Sequence, residues 1–181
     1  MASEQELTNA RNERFLRLLE PVYRDCQRWA YNLTQDAIEA EDLLAQSILL
    51  GLQNVRQLKN DGAFKAWMFR IIANAFKHHL RSKKRQAEAV DPEMLPRFGP
   101  RDDRWTERAE QADAVRRVLM QLAPEQRQAL MLFEVQGFSI RETSEVLSKK
   151  EGAVRVLLHR ARERLAVLLK KEGIVVPPGG E

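Results

Sequence analysis

The sequence predicts an all-α protein of two small helical domains joined by a flexible linker, with a helix-turn-helix as the C-terminal domain. Apolar residues recur at helical spacing through most of the chain, and the 8 glycines and 7 prolines gather in a few places. The helical period disappears in residues 86–104. Residues 139–169 have the short helix, tight turn and long helix of a helix-turn-helix.

Composition limits the class of protein. The 181 residues, 44% of them hydrophobic, suffice for small helical cores. A single cysteine, Cys26, excludes an intramolecular disulfide and indicates a small core residue in a reducing cytoplasm. The chain has no apolar run that approaches 18 residues and no basic segment followed by an apolar one, the pattern of a leader, so we expect neither a membrane span nor a secretion signal.

Charge is distributed unevenly along the chain. Residues 11–85 carry 14 Lys and Arg against 8 Asp and Glu, and residues 112–171 carry 12 against 7. Residues 86–111 between them carry 4 against 7. Two basic modules separated by an acidic linker predict two contacts with one polyanion.

The first module begins with apolar residues at helical spacing from Phe15 to Ala30, where Pro21 marks either a helix start or a kink. Thr34 and Asp36 are start signals for the next helix. Acidic residues crowd the first turns of that helix. They either complement the helix dipole or form an acidic face for a basic protein partner.

A turn at residues 57–63 precedes a helix predicted from Phe64 to about Lys84. One side of this helix is apolar, and the other side and its end are rich in Lys, Arg and Asn. Such a surface is typical of single-stranded DNA binding, although a tryptophan on the apolar stripe, here Trp67, is more often a core residue. His78 and His79 point about 100° apart, so we expect no metal site there.

The second module is predicted to begin with a helix from Trp105 to Leu122, followed by one that starts at Pro124 and stops at Gly137. Ser139 with Glu142, and Ser148 with Glu151, have the spacing of capping boxes. They predict a first helix over 140–147 and a second over about 149–171, followed by an unfolded tail.

The second helix of this pair has an apolar and a polar face. Val154, Leu158, Ala161 and Leu165 share the buried stripe. The opposite face is small at its start and basic further on, with these residues on or beside it: Gly152, Ala153, Arg155, Val156, His159, Arg160, Arg162 and Glu163. Arginines on the N-terminal half of such a helix can reach guanine edges or phosphates in the major groove.

These motifs together resemble the bacterial sigma factors of the extracytoplasmic-function (ECF) type that have only regions 2 and 4. The resemblance covers roughly residues 11–85 and 106–170. It is carried by AEDLLAQSILLGLQ at 40–53, FKAWMFRI at 64–71, LAPEQRQALML at 122–132 and LLHRARERL at 157–165. Ser148, Val156 and Leu157 depart from the family pattern, which has a turn glycine and polar or basic residues there.

The resemblance implies a domain order and three binding sites. The domains would be region 2 (1–85), the linker (86–105), region 4 (106–171) and a tail (172–181). The helix that docks on core RNA polymerase, at the clamp helices of the largest subunit, would contribute Glu39, Asp42, Leu43 and Gln46. The turn and helix that melt and hold the −10 element would contribute Lys59, Asn60, Asp61, Trp67, Arg70, Asn74, Lys77 and Arg81. The −35 element would be read by Lys150, Arg155, Val156, His159, Arg160 and Arg162.

Further partners follow from the same resemblance. Region 4 would contact the flap of the second-largest polymerase subunit, and an acidic or helical anti-sigma factor would cover the apolar and basic faces. This anti-sigma factor could hold the otherwise cytoplasmic protein at the membrane. No cofactor and no enzymatic activity are expected. The alternatives are a stand-alone helix-turn-helix regulator that binds an operator without polymerase, and a sigma mimic without promoter recognition.

Overall fold

The computed structural model describes residues 4–87, 115 and 117–174, and all regular secondary structure in these residues is helical. This confirms the predicted fold class. The chain divides into two compact units, of which the first contains residues 4–87 and the second most of 117–174. Apart from residues 86 and 87, the predicted linker lies outside the described residues, as do the first part of the helix predicted from Trp105 and the end of the tail.

Residues 4–87 of the first unit form four α-helices. They are α1 (Glu4–Leu19), α2 (Tyr23–Thr34), α3 (Ala37–Asn54) and α4 (Phe64–Ala87). Pro21 lies in a 3₁₀ turn, Glu20–Val22, so it marks a helix boundary. Asp36 caps α3 as predicted, because its carboxylate accepts a hydrogen bond from the Glu39 N–H at 2.9 Å.

The core of the first unit forms where α2, α3 and α4 pack on one another. The rings of Trp29 and Phe69 stack with centroids 5.6 Å apart, and the Trp29 indole N–H donates to the Phe69 carbonyl at 3.3 Å. The bonded indole lets a large aromatic ring be buried without an unsatisfied donor.

Helix α1 joins this core through Phe15, which is fully buried. Its ring meets the Phe64 ring edge-on at 5.4 Å and covers Gly51 on α3. A Cβ atom on Gly51 would lie 2.7 Å from the Phe15 ring, so only glycine allows this close approach. The contact fixes α1 beside the start of α4.

The second unit contains α5 (Pro124–Leu130), the first part of α6 (Ile140–Leu147) and α7 (Glu151–Lys171). A π-helical turn, Met131–Val135, extends α5, and Gly137 ends the segment with a φ of 70°. The sequence predicted this stop and the bounds of α6, but not the π turn. A helical segment at 117–120 supplies Val118 to a core with Leu130, Ala161 and Leu168.

Only one of the two predicted capping boxes forms. The Ser139 N–H donates to the Glu142 carboxylate at 2.8 Å, and the Glu142 N–H donates to the Ser139 hydroxyl at 3.2 Å. The prediction for Ser148 is wrong. Lys150 is the N-cap of α7, and Ser148 adopts a left-handed conformation with a φ of 55°.

Ser148 instead ends α6. The Lys149 N–H donates to the Ser144 carbonyl at 2.9 Å, the bond of a Schellman motif whose left-handed residue is Ser148. Glycine is the residue that usually occupies this position, because it has no Cβ to clash with the backbone.

Replacing Ser148 by glycine is therefore expected to raise the free energy of unfolding by about 0.5–1 kcal/mol. Glycine removes the strain of the left-handed conformation, about 1–2 kcal/mol. This gain exceeds the free-energy cost of the greater conformational entropy that glycine gives the unfolded chain, about 0.5–1 kcal/mol. Urea denaturation measures the change. Ser148→Ala is the control, because it keeps the strained Cβ and should bring no gain; an equal gain in both variants would contradict the explanation.

Candidate nucleic-acid and protein interfaces

Helix α7 and its N-cap present five of the six residues predicted to read duplex DNA. Each of them is exposed: Lys150, Arg155, Val156, His159 and Arg160. The buried stripe of Val154, Leu158 and Ala161 orients the outer face of α7 away from the core. The Arg155 guanidinium lies 3.2 Å from Glu151 on the preceding turn, an exposed pair that constrains it weakly.

Arg162 has a different environment from the rest of the predicted set. Its Nε donates to the Glu134 carboxylate at 2.9 Å, and its guanidinium lies 5.6 Å from the centre of the Phe133 ring. Both partners belong to the π turn after α5. Arg162 thus joins α7 to that turn, which the spacing of the sequence could not reveal.

Four of the predicted single-strand contacts form one row along α4. Arg70, Asn74, Lys77 and Arg81 recur at helical spacing on one side, and the row spans roughly 16 Å along the axis. Arg70, Asn74 and Arg81 are exposed and Lys77 is half-buried. The row offers cations and an amide to an extended strand.

Two predicted contact residues belong to the core instead. Leu43 on α3 is 5% exposed and Trp67 on α4 is 9% exposed, and the Trp67 ring lies 5.8 Å from the Phe64 ring. In this structure neither side chain presents a surface to a partner. Both lie on the apolar side of an amphipathic helix. Burial of such a side chain in the core is energetically favourable. The family motif marks the position of a residue but does not indicate whether its side chain is buried.

The turn between α3 and α4 exposes the remaining predicted single-strand contacts, Lys59, Asn60 and Asp61. The Asn60 side-chain oxygen accepts a hydrogen bond from the Gly62 N–H at 2.9 Å, which stabilises the turn locally. The Asp61 carboxylate is paired with Arg14 of α1. Arg14 was not among the predicted site residues, because no sequence pattern links it to the turn.

An exposed face of α3 surrounds Asp42 and Gln46. Ile38 and Leu49 flank these polar residues at helical spacing, and they are 74% and 61% exposed. We call Ile38, Asp42, Gln46 and Leu49 the α3 face. The predicted set lacked both apolar residues, whose unusual exposure is visible only in the folded unit.

Glu39 lies beside this face but is bonded to α4. Its carboxylate pairs with the Lys83 ammonium, and His79 Nε2 lies 3.7 Å away, beyond hydrogen-bonding distance. These contacts make Glu39 a link between α3 and α4 in the folded unit.

Cys26 is fully buried in the core of the first unit. Burial, with a smaller contribution from the nearby Asp25 charge, raises the pKa of its thiol to about 12. The thiolate, which is the reactive form, is therefore strongly disfavoured.

We expect native Cys26 to react with an aromatic disulfide reagent at pH 8 more than about 100-fold slower than the unfolded chain does. Absorbance at the wavelength of the released thiolate measures both rates, with the same protein in urea as the reference. Rapid labelling of the native protein would contradict the burial of this thiol.

The described residues contain neither a metal cluster nor a membrane span. Within residues 4–87 and 117–174, no group of three His, Cys, Asp or Glu side chains could hold a metal ion. No helix in those ranges is long and apolar enough to cross a membrane.

The protein has two helical units, each with an exposed basic helix face. This arrangement is typical of two-domain helical proteins that bind nucleic acid. Comparison with known proteins identifies the family. Residues 18–86 match the family model for sigma-70 region 2, and residues 112–165 match that for sigma-70 region 4. The chain belongs to the ECF RNA polymerase sigma factors.

Individual relatives agree with this assignment. The chain is 34% identical to the ECF RNA polymerase sigma factor SigM of Mycobacterium tuberculosis, over 86% of this chain and 76% of the relative. It is 31% identical to the RNA polymerase sigma-E factor of Streptomyces coelicolor, over 76% of each chain.

Solved structures share the fold. The sigma factor RpoE of Bartonella quintana, in complex with the anti-sigma factor NepR, is similar with a TM-score of 0.74 at 24% identity, over 86% of this chain and 96% of that one. CnrH, in complex with the cytosolic domain of CnrY, has a TM-score of 0.62 at 22% identity, over 87% and 88% of the two chains.

Proposed function

We propose that this sigma factor binds core RNA polymerase through the α3 face and recognises a two-part promoter through α4 and α7. The observation that carries the proposal is the pair of exposed basic faces, one in each unit. Sigma factors are not enzymes, and the residues assigned below bind rather than catalyse.

The proposed domains follow the matched ranges. Residues 1–85 form the region 2 domain and residues 106–171 the region 4 domain, with a linker at 86–105 and a tail at 172–181. The family models match residues 18–86 and 112–165, which lie inside the two domains except for residue 86. A stand-alone regulator would use the second unit alone and leave the first without a role.

In the first unit, the exposed turn and the row on α4 hold the melted −10 strand. The contacts are Lys59, Asn60, Arg70, Asn74, Lys77 and Arg81. Cations follow the phosphates, while the amides of Asn60 and Asn74 offer donors and acceptors to unstacked bases. Trp67 supports the row on α4 from the core, and Leu43 supports the α3 face in the same way.

In the second unit, α7 enters the major groove of the −35 element. Arg155 and Arg160 flank Val156 and His159 on its outer face. Arginine donates to guanine or phosphate, and the exposed Val156 side chain offers an apolar contact for a thymine methyl group. We assign Arg162 to the support of this helix through Glu134.

The α3 face is the proposed contact with the clamp helices of the largest polymerase subunit. Exposed Ile38 and Leu49 can bury apolar area around Asp42 and Gln46, the arrangement of an apolar contact with polar anchors. The same exposed apolar residues could bind an anti-sigma factor. Such a factor would block binding to polymerase, and it could hold the cytoplasmic protein at the inner surface of the membrane.

Core binding tests the proposal. Asp42→Ala with Gln46→Ala is expected to weaken binding of purified core polymerase about tenfold or more. Glu41→Ala is the control, because Glu41 is exposed on the same helix about 100° away from Asp42. Binding is measured by fluorescence anisotropy of a labelled sigma factor, followed by run-off transcription on selected promoters.

Two outcomes would count against the proposal. If the wild type does not bind core polymerase and alone binds a palindromic duplex tightly, the stand-alone regulator is correct. If Glu41→Ala weakens core binding as strongly as the double change, the α3 face is not the contact.

A further inference from the structure

Helix α1 is bonded directly to the turn between α3 and α4. Arg14 Nε donates to Asp61 Oδ1 at 3.0 Å, and Arg14 Nη2 contacts the same oxygen. Arg14 Nη2 also donates to the Leu58 carbonyl at 3.3 Å. One guanidinium therefore bridges two points of the turn that are three positions apart in sequence.

The only regular structure of residues 59–63 is one 3₁₀ turn, Asp61–Ala63. Residues 59–63 are all exposed, and their local bonds are the Gly62 N–H to the Asn60 side chain, the Ala63 N–H to the Asn60 carbonyl and the Phe64 N–H to the Asp61 carbonyl. Leu58, whose side chain is buried, anchors one end. A short exposed turn with so few internal bonds depends on its neighbours for a single conformation.

Arg14 is itself held in place by the next residue. Phe15 is fully buried against Gly51 and against Phe64, the first residue of α4. Helix α1 thus contacts the turn at two places. Arg14 bonds to Leu58 and Asp61 within the turn, and Phe15 packs on Phe64, the residue directly after it. Lys59 and Asn60 lie between the two residues that Arg14 bonds, so the position of α1 constrains the backbone of both.

We propose that Arg14 is a positioning residue for −10 recognition, fixing residues 58–63 in the conformation that presents Lys59 and Asn60 to the melted strand. The inference rests on the proposed role of this turn in −10 binding. In this arrangement Asp61 is a tether for Arg14 rather than a DNA contact. Pairing also neutralises a carboxylate that would otherwise repel the phosphates of the strand.

The chemistry of the bridge requires arginine. A guanidinium offers several donors in a fixed plane and can serve Asp61 and the Leu58 carbonyl together, whereas a lysine ammonium is a point charge on a flexible stem. Lysine at this position should retain the ion pair and weaken the second contact. Arg14→Lys is therefore expected to be intermediate between the wild type and Arg14→Ala.

The experiment uses holoenzyme assembled from core polymerase and each full-length variant. The probe is a fluorescent single-stranded oligonucleotide with the non-template −10 sequence of a selected promoter, compared with the same oligonucleotide scrambled at −10. The ratio of the two affinities measures −10 discrimination. The variants are Arg14→Ala, Arg14→Lys, Asp61→Ala and the Arg14→Ala/Asp61→Ala double change.

Arg14→Ala is expected to lower the ratio at least about fivefold, the effect of losing one side-chain hydrogen-bond contact with a base, here that of Asn60. Asp61→Ala should lower it similarly, and the double variant no further than the more affected single variant. Arg17→Ala is the matched control, since Arg17 is exposed on the same helix. Core affinity should be unchanged in every variant, and melting temperatures should fall by no more than about 5 °C.

Different results overturn different claims. An unchanged ratio in Arg14→Ala overturns the inference, and so do losses that multiply in the double variant, because Asp61 would then contact DNA independently. A wild-type holoenzyme that does not prefer the −10 oligonucleotide overturns the proposed role of the turn and this inference with it. Equal loss in Arg17→Ala would show a general charge effect and would also overturn it.

Discussion

Changing Arg155 and Arg160 together to alanine is expected to abolish promoter-specific transcription while leaving core polymerase binding intact. Both side chains are exposed on the outer face of α7. A good arginine contact with a base is worth about 1–3 kcal/mol, so two separate contacts contribute about 2–6 kcal/mol. The affinity for the −35 duplex should fall roughly 30-fold to 10⁴-fold.

The salt dependence of binding separates base contacts from phosphate contacts in this variant. Each lost phosphate contact lowers the slope of log affinity against log salt by about 1, whereas a lost base contact mainly relaxes sequence preference. Run-off transcription and duplex binding at several salt concentrations measure both effects.

A matched control changes the same amount of charge on the same helix. Lys170 and Lys171 are exposed in the last turn of α7, far from the proposed groove contact. Lys170→Ala with Lys171→Ala should leave promoter preference unchanged. Transcription that survives the arginine change would indicate a sigma mimic without promoter readout and would refute the assignment of α7.

The largest expected effect on stability comes from Phe15→Ala. Phe15 is fully buried where α1 meets Gly51 and Phe64. Removal of a buried phenylalanine ring costs about 3–5 kcal/mol, the lost transfer free energy and the cavity together. A small domain is stable by only about 5–15 kcal/mol, so the first unit should become marginal.

Urea denaturation followed by tryptophan fluorescence measures this change, because Trp29 and Trp67 both lie in the first unit. A Trp105→Phe background removes the third tryptophan. Leu16→Ala is the control: Leu16 is its exposed neighbour on α1, and its loss should change the free energy of unfolding by less than about 0.5 kcal/mol. Similar unfolding midpoints for the two variants would show that α1 does not contribute to the core.

Trp67, Leu43 and Ser148 show what a motif does not report. Resemblance to family motifs marks positions but does not report burial, and both Trp67 and Leu43 lie on buried helix faces. Ser148 has the spacing of a cap. The backbone turns left-handed there to close a Schellman motif, which moves the start of α7 to Glu151.

The sequence by itself determined the all-α class, the bounds of α6, the outward face of α7 and the family, because helical periodicity and local motifs encode neighbouring residues along one helix. Only the tertiary structure decided which polar groups meet across helices. Arg14 meets Asp61 and Arg162 meets Glu134 because packing of apolar faces brings distant segments together. No local spacing records such pairs, and they decide which basic residues are bonded to carboxylates of distant segments.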